Sequence, residues 1–289
     1  MEQLRGRNAL ITGAAGGLGE YIARSLASEG VNLVLSDLAE AGLEQRAAQL
    51  RGSTGVTVET VSADLSRRDD AKGLFSRAED ALGPIDILVN NAGLEFAGPF
   101  AEMSEDELTA LIDVNLTATM LLTRSALPEM LRRGRGHVVN LGSVAGKLPA
   151  TSLAAYAASK HGVVGFTNTL RSEHGDGPVG FSVVCPGFVA RAGMYGRVET
   201  GEDPPPPFRP VQPEQVAAAV VTAIRENRAQ TIVNGRGIGP LIVLATLAPG
   251  MFARLSRGDR AKQFAERFRS AKAEAPDTPA ERKVHASSD

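Results

Sequence analysis

Tyr156 and Lys160 stand four residues apart in the run YAASK, whose surroundings predict a helix. This spacing places the two side chains on one face of the helix, one turn apart. A phenol titrates near about 10 and is a poor base at neutral pH, but a neighbouring ammonium favours the phenolate and lowers the phenol pKa. The pair therefore predicts a tyrosine that acts as a general acid/base, although such pairs also arise by chance.

Ser143 follows the apolar run VVNL and lies 13 residues before Tyr156. The run predicts a buried strand, and ligands of open parallel sheets bind at the carboxyl ends of their strands. The Ser143 hydroxyl would then lie where a substrate oxygen could be held. Taken alone, Ser143 is an ordinary turn serine.

A glycine-rich turn, TGAAGGLG from Thr12 to Gly19, separates a predicted strand from a predicted helix. Gly13 allows the tight turn, and the absence of Cβ atoms at Gly17 and Gly19 would let the backbone approach a pyrophosphate. The helix N-terminus behind the turn favours negative charge. Although a simple flexible turn is the alternative, this position in the first strand–helix unit predicts a dinucleotide site.

An acidic residue follows the second predicted strand directly. Asp37 lies 24 residues after Gly13, where a carboxylate would bind the adenosine ribose hydroxyls and repel a 2′-phosphate. Leu38 comes next, and the glycine turn contains no Lys or Arg, so the pattern favours NAD over NADP. Asp37 could instead only cap the following helix. Asp64 follows the third predicted strand, where a contact with the adenine and a helix N-cap fit equally well.

Apolar, β-rich segments alternate with segments of helical periodicity along most of the chain. Segments that are apolar throughout indicate strands buried on both faces, as in a parallel sheet covered by helices. The predicted strands are residues 8–12, 31–36, 56–61, 85–90, 137–141, 180–184 and 231–234. The predicted helices are residues 18–28, 41–51, 67–81, a long helix opened by a Ser104/Glu107 capping box, 152–171 and 213–227. The fold class is therefore α/β, a doubly wound, Rossmann-like parallel sheet with helices on both faces and a C-terminal helical extension.

The chain divides into three parts by composition. Residues 1–237 form one predicted Rossmann-type domain that binds dinucleotide and substrate, 238–273 a helical extension and 274–289 a disordered tail. The extension is apolar over 238–255 and a basic amphipathic helix over 259–273. It could make a peripheral membrane contact, but packing across a dimer partner or over its own active site is the favoured alternative.

Charge and cysteine content narrow the possible partners and location. The net charge is −2 with dispersed basic residues, which argues against nucleic acid as a partner. The single cysteine, Cys185, rules out an intrachain disulfide and is predicted to be a buried, inert thiol. No secretory signal and no metal site are predicted, and the expected location is cytoplasmic.

Taken together and in order, the motifs resemble those of the short-chain dehydrogenase/reductase family, in its single-domain branch. The resemblance covers about residues 7–237. The residues that carry it are Thr12-Gly-x-x-x-Gly17-x-Gly19, Asp37, Asp64, Asn90-Asn-Ala-Gly93, Asn115, Ser143, Tyr156-x-x-x-Lys160 and Pro186-Gly187. One position departs from the family: Arg191 stands where a threonine often contacts the nicotinamide carboxamide.

The resemblance implies a role for each catalytic residue. Tyr156 would be the general acid/base, and Ser143 would bind the substrate oxygen. Lys160 would bind the nicotinamide ribose and depress the tyrosine pKa, and Asn115 would hold a water that links Lys160 to solvent. It also implies a homodimer or homotetramer, paired through helices in the regions 106–132 and 152–171.

The expected ligand contacts lie on and beside these motifs. The expected cofactor-binding residues are Thr12, Gly13, Gly17, Leu18, Gly19, Asp37, Leu38, Asp64, Leu65, Asn91, Ala92, Gly93, Tyr156, Lys160, Pro186, Gly187 and Val189. The expected substrate-facing residues are Leu94, Glu95, Phe96, Ser143, Val144, Ala145, Leu153, Tyr156, Phe188, Met194 and Tyr195.

The expected activity is NAD(H)-dependent interconversion of a secondary alcohol and a ketone. The apolar substrate-facing set suggests a lipophilic alcohol. An NADPH-dependent ketone reductase is an alternative that Asp37 argues against. A dinucleotide-binding regulatory or scaffold protein without turnover is a further alternative, against which the complete set of catalytic residues speaks.

Overall fold

A central parallel sheet organises the chain. The computed structural model describes residues 1–289 except 2, 193–194, 196–203, 205–207, 236, 256–258, 276 and 288–289. In this part of the chain seven parallel strands are arranged in the order β3-β2-β1-β4-β5-β6-β7. The strands are β1 Asn8–Thr12, β2 Asn32–Ser36, β3 Val58–Thr60, β4 Ile87–Asn90, β5 Gly136–Leu141, β6 Val179–Pro186 and β7 Gln230–Val233. The predicted doubly wound parallel sheet is confirmed.

The strand order reverses at β1, which determines where a ligand can bind. Thr12 at the end of β1 is paired in register with Ser36 of β2, and Ile11 lies beside Val89 of β4. The chain runs from β1 outward to β2 and β3 and then crosses back to β4 on the other side of β1, so a crevice opens at the carboxyl ends of these strands. The glycine turn and the segments after β2 and β4 meet at this crevice.

Both faces of the sheet are apolar and buried, as the continuous hydrophobic segments predict. Along β1, Ala9 and Ile11 pack in one core cluster while Leu10, between them, packs in the cluster on the other face. This alternation follows from the two-residue period of a strand. The sheet is therefore held between two helical layers, which do not cover its carboxyl edge.

The helices that cover the sheet agree closely with the sequence prediction. They are α1 Gly17–Ser28, α2 Glu40–Ser53, α3 Arg68–Leu82, α4 Glu105–Ile112, α5 Ala118–Arg132, α6 Ala154–His174 and α7 Pro213–Arg225. The Ser104/Glu107 capping box is confirmed. The long helix that it opens is interrupted by a π-helical turn at Asp113–Thr117, which separates α4 from α5. The predicted third strand was too long, because pairing with β2 covers three residues only.

The C-terminal extension is helical, as predicted, and packs at the carboxyl edge of the sheet. It consists of α8 Ile238–Leu247, α9 Pro249–Leu255 and α10 Asp259–Glu274. Ile238 and Phe252 are buried against Val144 and Leu148, which follow β5. None of the described helices is long and apolar enough to cross a bilayer. The division of the chain at residue 237 stays a prediction.

The last segment differs from the predicted disordered tail, because it contains the helix α11, Pro279–Ser287. Thr278 and Glu281 form a reciprocal capping box, with the Glu281 amide donating to the Thr278 hydroxyl (3.1 Å) and the Thr278 amide to the Glu281 carboxylate (2.7 Å). Lys272 of α10 donates to the same carboxylate at 2.9 Å. Pro279 occupies the first helical position, where its missing N–H is tolerated.

Candidate active site

A cavity of about 1570 Å³ opens at the carboxyl edge of the sheet. Sites for one small ligand are usually about 300–1,000 Å³, so this space is large enough for two ligands side by side. The predicted cofactor residues on its wall are Gly13, Gly17, Leu18, Asp37, Leu38, Asp64, Leu65, Asn91, Ala92, Gly93, Tyr156, Lys160, Pro186, Gly187 and Val189. The predicted substrate residues on it are Leu94, Glu95, Ser143, Val144, Ala145, Leu153, Tyr156, Phe188 and Tyr195.

The glycine turn leaves the N-terminus of α1 open to the cavity. Gly13 has φ +65°, and a Cβ there would lie 2.8 Å from the Ala92 Cα, so only glycine fits. Gly16 is the N-cap of α1 and provides no side-chain cap. A Cβ at Gly16 would meet nothing within 4 Å. Uncapped N–H groups facing an open space are suited to bind a phosphate group.

Two residues of the predicted cofactor set support the turn and do not form the cavity wall. The Thr12 hydroxyl accepts the amides of Asn91 (3.0 Å) and Ala92 (3.1 Å), so it ties β1 to the end of β4. A Cβ at Gly19 would lie 2.0 Å from the Gly13 carbonyl oxygen. The expectation that Gly19 makes room for a pyrophosphate is therefore corrected: Gly19 makes room for the turn itself.

Asp37 connects the end of β2 to the glycine turn. One carboxylate oxygen accepts the Ala15 amide at 3.0 Å, and the other accepts the Ala39 amide at 3.3 Å. Helix α2 has no side-chain cap, so the alternative that Asp37 only caps this helix is wrong. The described cations on the cavity wall, Lys160, Arg191 and Lys283, belong to other segments. The carboxylate thus gives this end of the cavity a negative charge.

Tyr156 and Lys160 lie on one face of α6 inside the cavity, as the spacing predicts. They are 8 % and 4 % exposed. The Lys160 ammonium lies 5.7 Å from the centre of the Tyr156 ring and donates to the Leu141 carbonyl at the end of β5 (2.9 Å). The ammonium thus lies near the phenol ring while it is bound to the strand end.

Burial dominates the protonation of this pair. It raises the pKa of Tyr156, and the negative charge of Glu95 raises it further, while a hydrogen bond with Ser143 lowers it. Burial lowers the pKa of Lys160 to about 8. The sequence predicted a tyrosine pKa depressed by Lys160. That prediction is corrected here, because loss of solvation disfavours both charged forms.

The predicted relay residue lies in the π-helical turn. Asn115 is 1 % exposed, and its side chain accepts the Leu94 amide (2.7 Å) and donates to the Leu94 carbonyl (2.9 Å). It also donates to the Ser159 hydroxyl of α6 at 3.2 Å. Asn115 therefore fixes the segment after β4 relative to the helix that carries Tyr156. Its role in a water relay stays a prediction.

The residue that departs from the family pattern has partners on the neighbouring helix. Arg191 has φ +59°, and its guanidinium donates to the Gln212 side chain at 2.8 Å and pairs with Glu214 at 3.4 Å. Gln212 is the N-cap of α7. Arg191 therefore connects the segment after β6 to α7 at the cavity rim.

Aromatic side chains close the end of the cavity beyond Tyr156. Phe188 and Tyr195 meet edge to face with ring centres 4.9 Å apart, and Tyr195 stacks on Phe268 of α10 at 6.3 Å. Phe96 lies off the wall, 5.8 Å from the His285 ring, and Met194 is outside the described residues. Four further apolar wall residues were not predicted from the sequence at this end of the cavity: Phe208, Leu241, Phe252 and Phe268.

Helix α11 forms the wall at the Asp64 end of the cavity, which sequence reasoning did not foresee. Lys283 pairs with the Asp64 carboxylate, and Val284 is buried against Leu94 and Val114. Burial opposes ionisation of Asp64, but hydrogen bonds from Lys283 and Ser66 outweigh it and lower the Asp64 pKa. The Thr278-x-x-Glu281 spacing was the signal that could have indicated this helix.

The buried thiol of Cys185, near the site, is inert. Burial raises the pKa of Cys185 to about 11, so the thiol stays protonated, as predicted. Among the described residues there is no cluster of three or more His, Cys, Asp or Glu side chains that could hold a metal ion.

Comparisons with known proteins agree with this geometry. A family model described as short chain dehydrogenase matches residues 7–203. Ketoacyl reductase HetN of Nostoc sp. is 38% identical over 256 residues, which are 89% of this chain and 88% of that protein. A short-chain dehydrogenase/reductase of Burkholderia phymatum, solved in complex with NAD, has a TM-score of 0.74 and 31% identity, covering 89% of this chain and 98% of that one. A variant of actinorhodin polyketide ketoreductase, solved with NADPH, has a TM-score of 0.71 and 31% identity. The match covers 81% of this chain and 98% of that one.

Proposed function

Because this chain belongs to the short-chain dehydrogenase/reductase family, we propose that it interconverts a lipophilic secondary alcohol and the corresponding ketone with NAD(H). The observation that carries the proposal is the buried set of Ser143, Tyr156 and Lys160 in a cavity large enough for two ligands. The members of this family are oxidoreductases, and the chain is therefore an oxidoreductase. The cofactor, the substrate and the residue roles below are the proposal.

Tyr156 is the proton donor and acceptor at the substrate oxygen. When bound, the cofactor supplies or accepts the hydride at nicotinamide C4. In the reducing direction the neutral phenol, favoured by burial, protonates the oxygen of the new alcohol. In the oxidising direction the phenol must first lose its proton, so alcohol oxidation should accelerate as the pH rises. Ser143 holds the same oxygen, and the Lys160 ammonium beside the ring stabilises the phenolate.

Replacement of Glu95 by glutamine tests this assignment through its pH dependence. The carboxylate of Glu95 raises the Tyr156 pKa, so its loss should favour the phenolate and lower that pKa. The rising limb of kcat/KM for alcohol oxidation should then move to lower pH. The measurement is the pH profile of kcat/KM for the wild type, Glu95→Gln and Glu102→Gln, which removes an exposed carboxylate nearby. An unmoved limb in Glu95→Gln would contradict the assignment.

The glycine turn and Asp37 support NAD as the cofactor. The uncapped N-terminus of α1 would receive the pyrophosphate, and the Asp37 carboxylate would bind the adenosine ribose hydroxyls. A 2′-phosphate would meet the negative charge of Asp37 without a cation from the turn. Lys160 would contact the nicotinamide ribose at the other end.

Helix α11 should contribute to cofactor affinity, because Val284 supports the wall at the Asp64 end. Val284→Ser is expected to weaken NADH binding about tenfold, since full burial of a valine side chain contributes about 1.5–3 kcal/mol. NADH fluorescence on titration with protein measures the affinity. Arg282→Ser, an exposed change on the same helix, is the matched control. Equal affinity in both variants would contradict a role for α11 in binding.

The substrate end of the cavity supports a lipophilic alcohol. Its walls beyond Tyr156 are the aromatic and aliphatic side chains of Phe188, Phe208, Leu241, Phe252 and Phe268. Such walls favour apolar ligands because they remove hydrocarbon surface from water. The wall near Tyr156 also contains the carboxylate of Glu95.

Reduction of a ketone with NADPH is the second candidate. Two similar proteins favour it, since one is named as a ketoacyl reductase and the other is a polyketide ketoreductase solved with NADPH. The neutral phenol of Tyr156 also suits proton donation. Asp37 argues against NADPH. A binding protein without turnover would not need the buried tyrosine, so we do not favour it.

The deciding experiment is a turnover screen of the wild-type protein. Secondary alcohols of increasing chain length are offered with NAD⁺ or NADP⁺, and the matching ketones with NADH or NADPH. We expect kcat/KM to rise with chain length and to favour NAD⁺ by at least about tenfold. A preference for NADPH and ketones would establish the second candidate, and NADH binding without any turnover would refute both.

A further inference from the structure

Helices α8 and α9 present apolar side chains to solvent. Val243 is 56% exposed, Leu247 78% and Met251 53%, which places them among the most exposed large hydrophobic residues of the described chain. Val243 and Leu247 are four residues apart, so they lie on one face of α8. Exposed apolar surface of this kind marks an interaction site more often than isolated exposed residues do.

The opposite faces of the same two helices close the substrate end of the cavity. Leu241 of α8 and Phe252 of α9 are on the cavity wall. Phe252 is buried together with Val144 and Leu148, and Leu244 packs against this cluster. The two helices therefore separate the cavity from solvent, and both of their faces carry apolar side chains. A ligand that entered past them would move from one apolar surface to another.

The charge of this segment is opposite to that of the remaining chain. Residues 238–273 contain seven basic and two acidic residues, whereas the other residues contain 24 basic and 31 acidic ones. Arg254 lies three residues after Met251 on α9 and is exposed, as are Arg267 and Arg269 on α10. Exposed positive charge in the same segment as exposed apolar side chains is the pattern of segments that bind anionic lipid headgroups.

We propose that helices α8, α9 and α10 dock on an anionic lipid surface, so that lipophilic substrate reaches the cavity past α8 and α9. The contact is peripheral, because the 10 residues of α8 span about 15 Å and a bilayer core is about 30 Å thick. A second copy of the chain fits this face less well than an anionic lipid surface does. A two-fold contact through the face would bring two basic segments together, and these repel each other. The delivery of substrate rests on the proposed function, whereas the docking does not.

Vesicle binding of the full-length protein tests the proposal. The protein is sedimented with vesicles of phosphatidylglycerol and phosphatidylcholine, and separately with phosphatidylcholine alone. We expect binding to the mixed vesicles that weakens with salt. The double variant Val243→Gln/Leu247→Gln should bind them about tenfold more weakly. Leu131→Gln removes an exposed leucine of α5 and should bind like the wild type.

Two further readouts separate the possible outcomes. NADH affinity shows that the double variant is folded, because the cofactor residues lie elsewhere on the cavity wall. Equal vesicle binding by the wild type and the double variant, or none by the wild type, would overturn the proposal. A smaller particle mass of the double variant in sedimentation velocity, without lipid binding by the wild type, would show instead an interface between copies. Vesicle binding is measured without turnover, so it can fail independently of the proposed function.

Discussion

Tyr156→Phe is expected to lower kcat by about a thousandfold while NADH affinity changes less than about twofold, since positioned proton transfer contributes roughly 10²–10⁴. Phenylalanine keeps the ring that packs against Leu111 and Ala155 and removes only the hydroxyl that exchanges the proton. Steady-state kinetics with the best alcohol of the screen, together with NADH titration, measures both quantities.

Tyr21→Phe on α1 makes the same chemical change outside the cavity and serves as the control. Its kcat should equal that of the wild type. A Tyr156→Phe protein that retained most of its turnover would refute the tyrosine as acid/base. A protein that lost NADH affinity to the same degree would indicate a structural role for the hydroxyl.

Asp37→Asn is expected to reduce the preference for NAD⁺ over NADP⁺ by about thirtyfold, because a hydrogen bond to a charged group contributes about 1.5–3 kcal/mol. The change removes the negative charge that would bind the ribose hydroxyls and repel a 2′-phosphate. Asparagine keeps a carbonyl oxygen that can accept the Ala15 amide, so the turn is conserved better than with alanine. The ratio of kcat/KM for the two cofactors is the measurement.

Glu40→Gln removes an exposed carboxylate at the start of α2 and is the matched control. It should leave the cofactor ratio unchanged, which separates a local effect of Asp37 from a general change of surface charge. A wild-type preference for NADP⁺ would show that the interpretation of Asp37 is wrong.

The protonation of the site connects these predictions to the direction of the reaction. A buried phenol next to Glu95 has a raised pKa, and a buried Lys160 titrates near about 8. Raising the pH therefore has two opposing effects: it favours the phenolate that accepts the alcohol proton and removes the ammonium charge that stabilises it. Oxidation should rise with pH and then level off as Lys160 is neutralised.

The sequence by itself determined the features that depend on residues close together in the chain. The strand–turn–helix order, the Gly13 turn, the Ser104 capping box and the shared helix face of Tyr156 and Lys160 are all local, so periodicity and spacing suffice to predict them. The cofactor end of the cavity could also be located, because parallel strands that alternate with helices must end at one edge. The basic, apolar segment 238–273 was likewise visible as composition.

Only the tertiary structure decided the features that depend on burial and on contacts between distant segments. Local spacing predicted that Lys160 would depress the Tyr156 pKa. In the structure, burial of Tyr156 and the negative charge of Glu95 raise that pKa instead. Asn115 had no local signal, because its partner is the Leu94 backbone, 21 residues away. Helix α11 was read as a disordered tail, because its stability comes from Lys272 and the buried Val284, which only the folded chain brings to it.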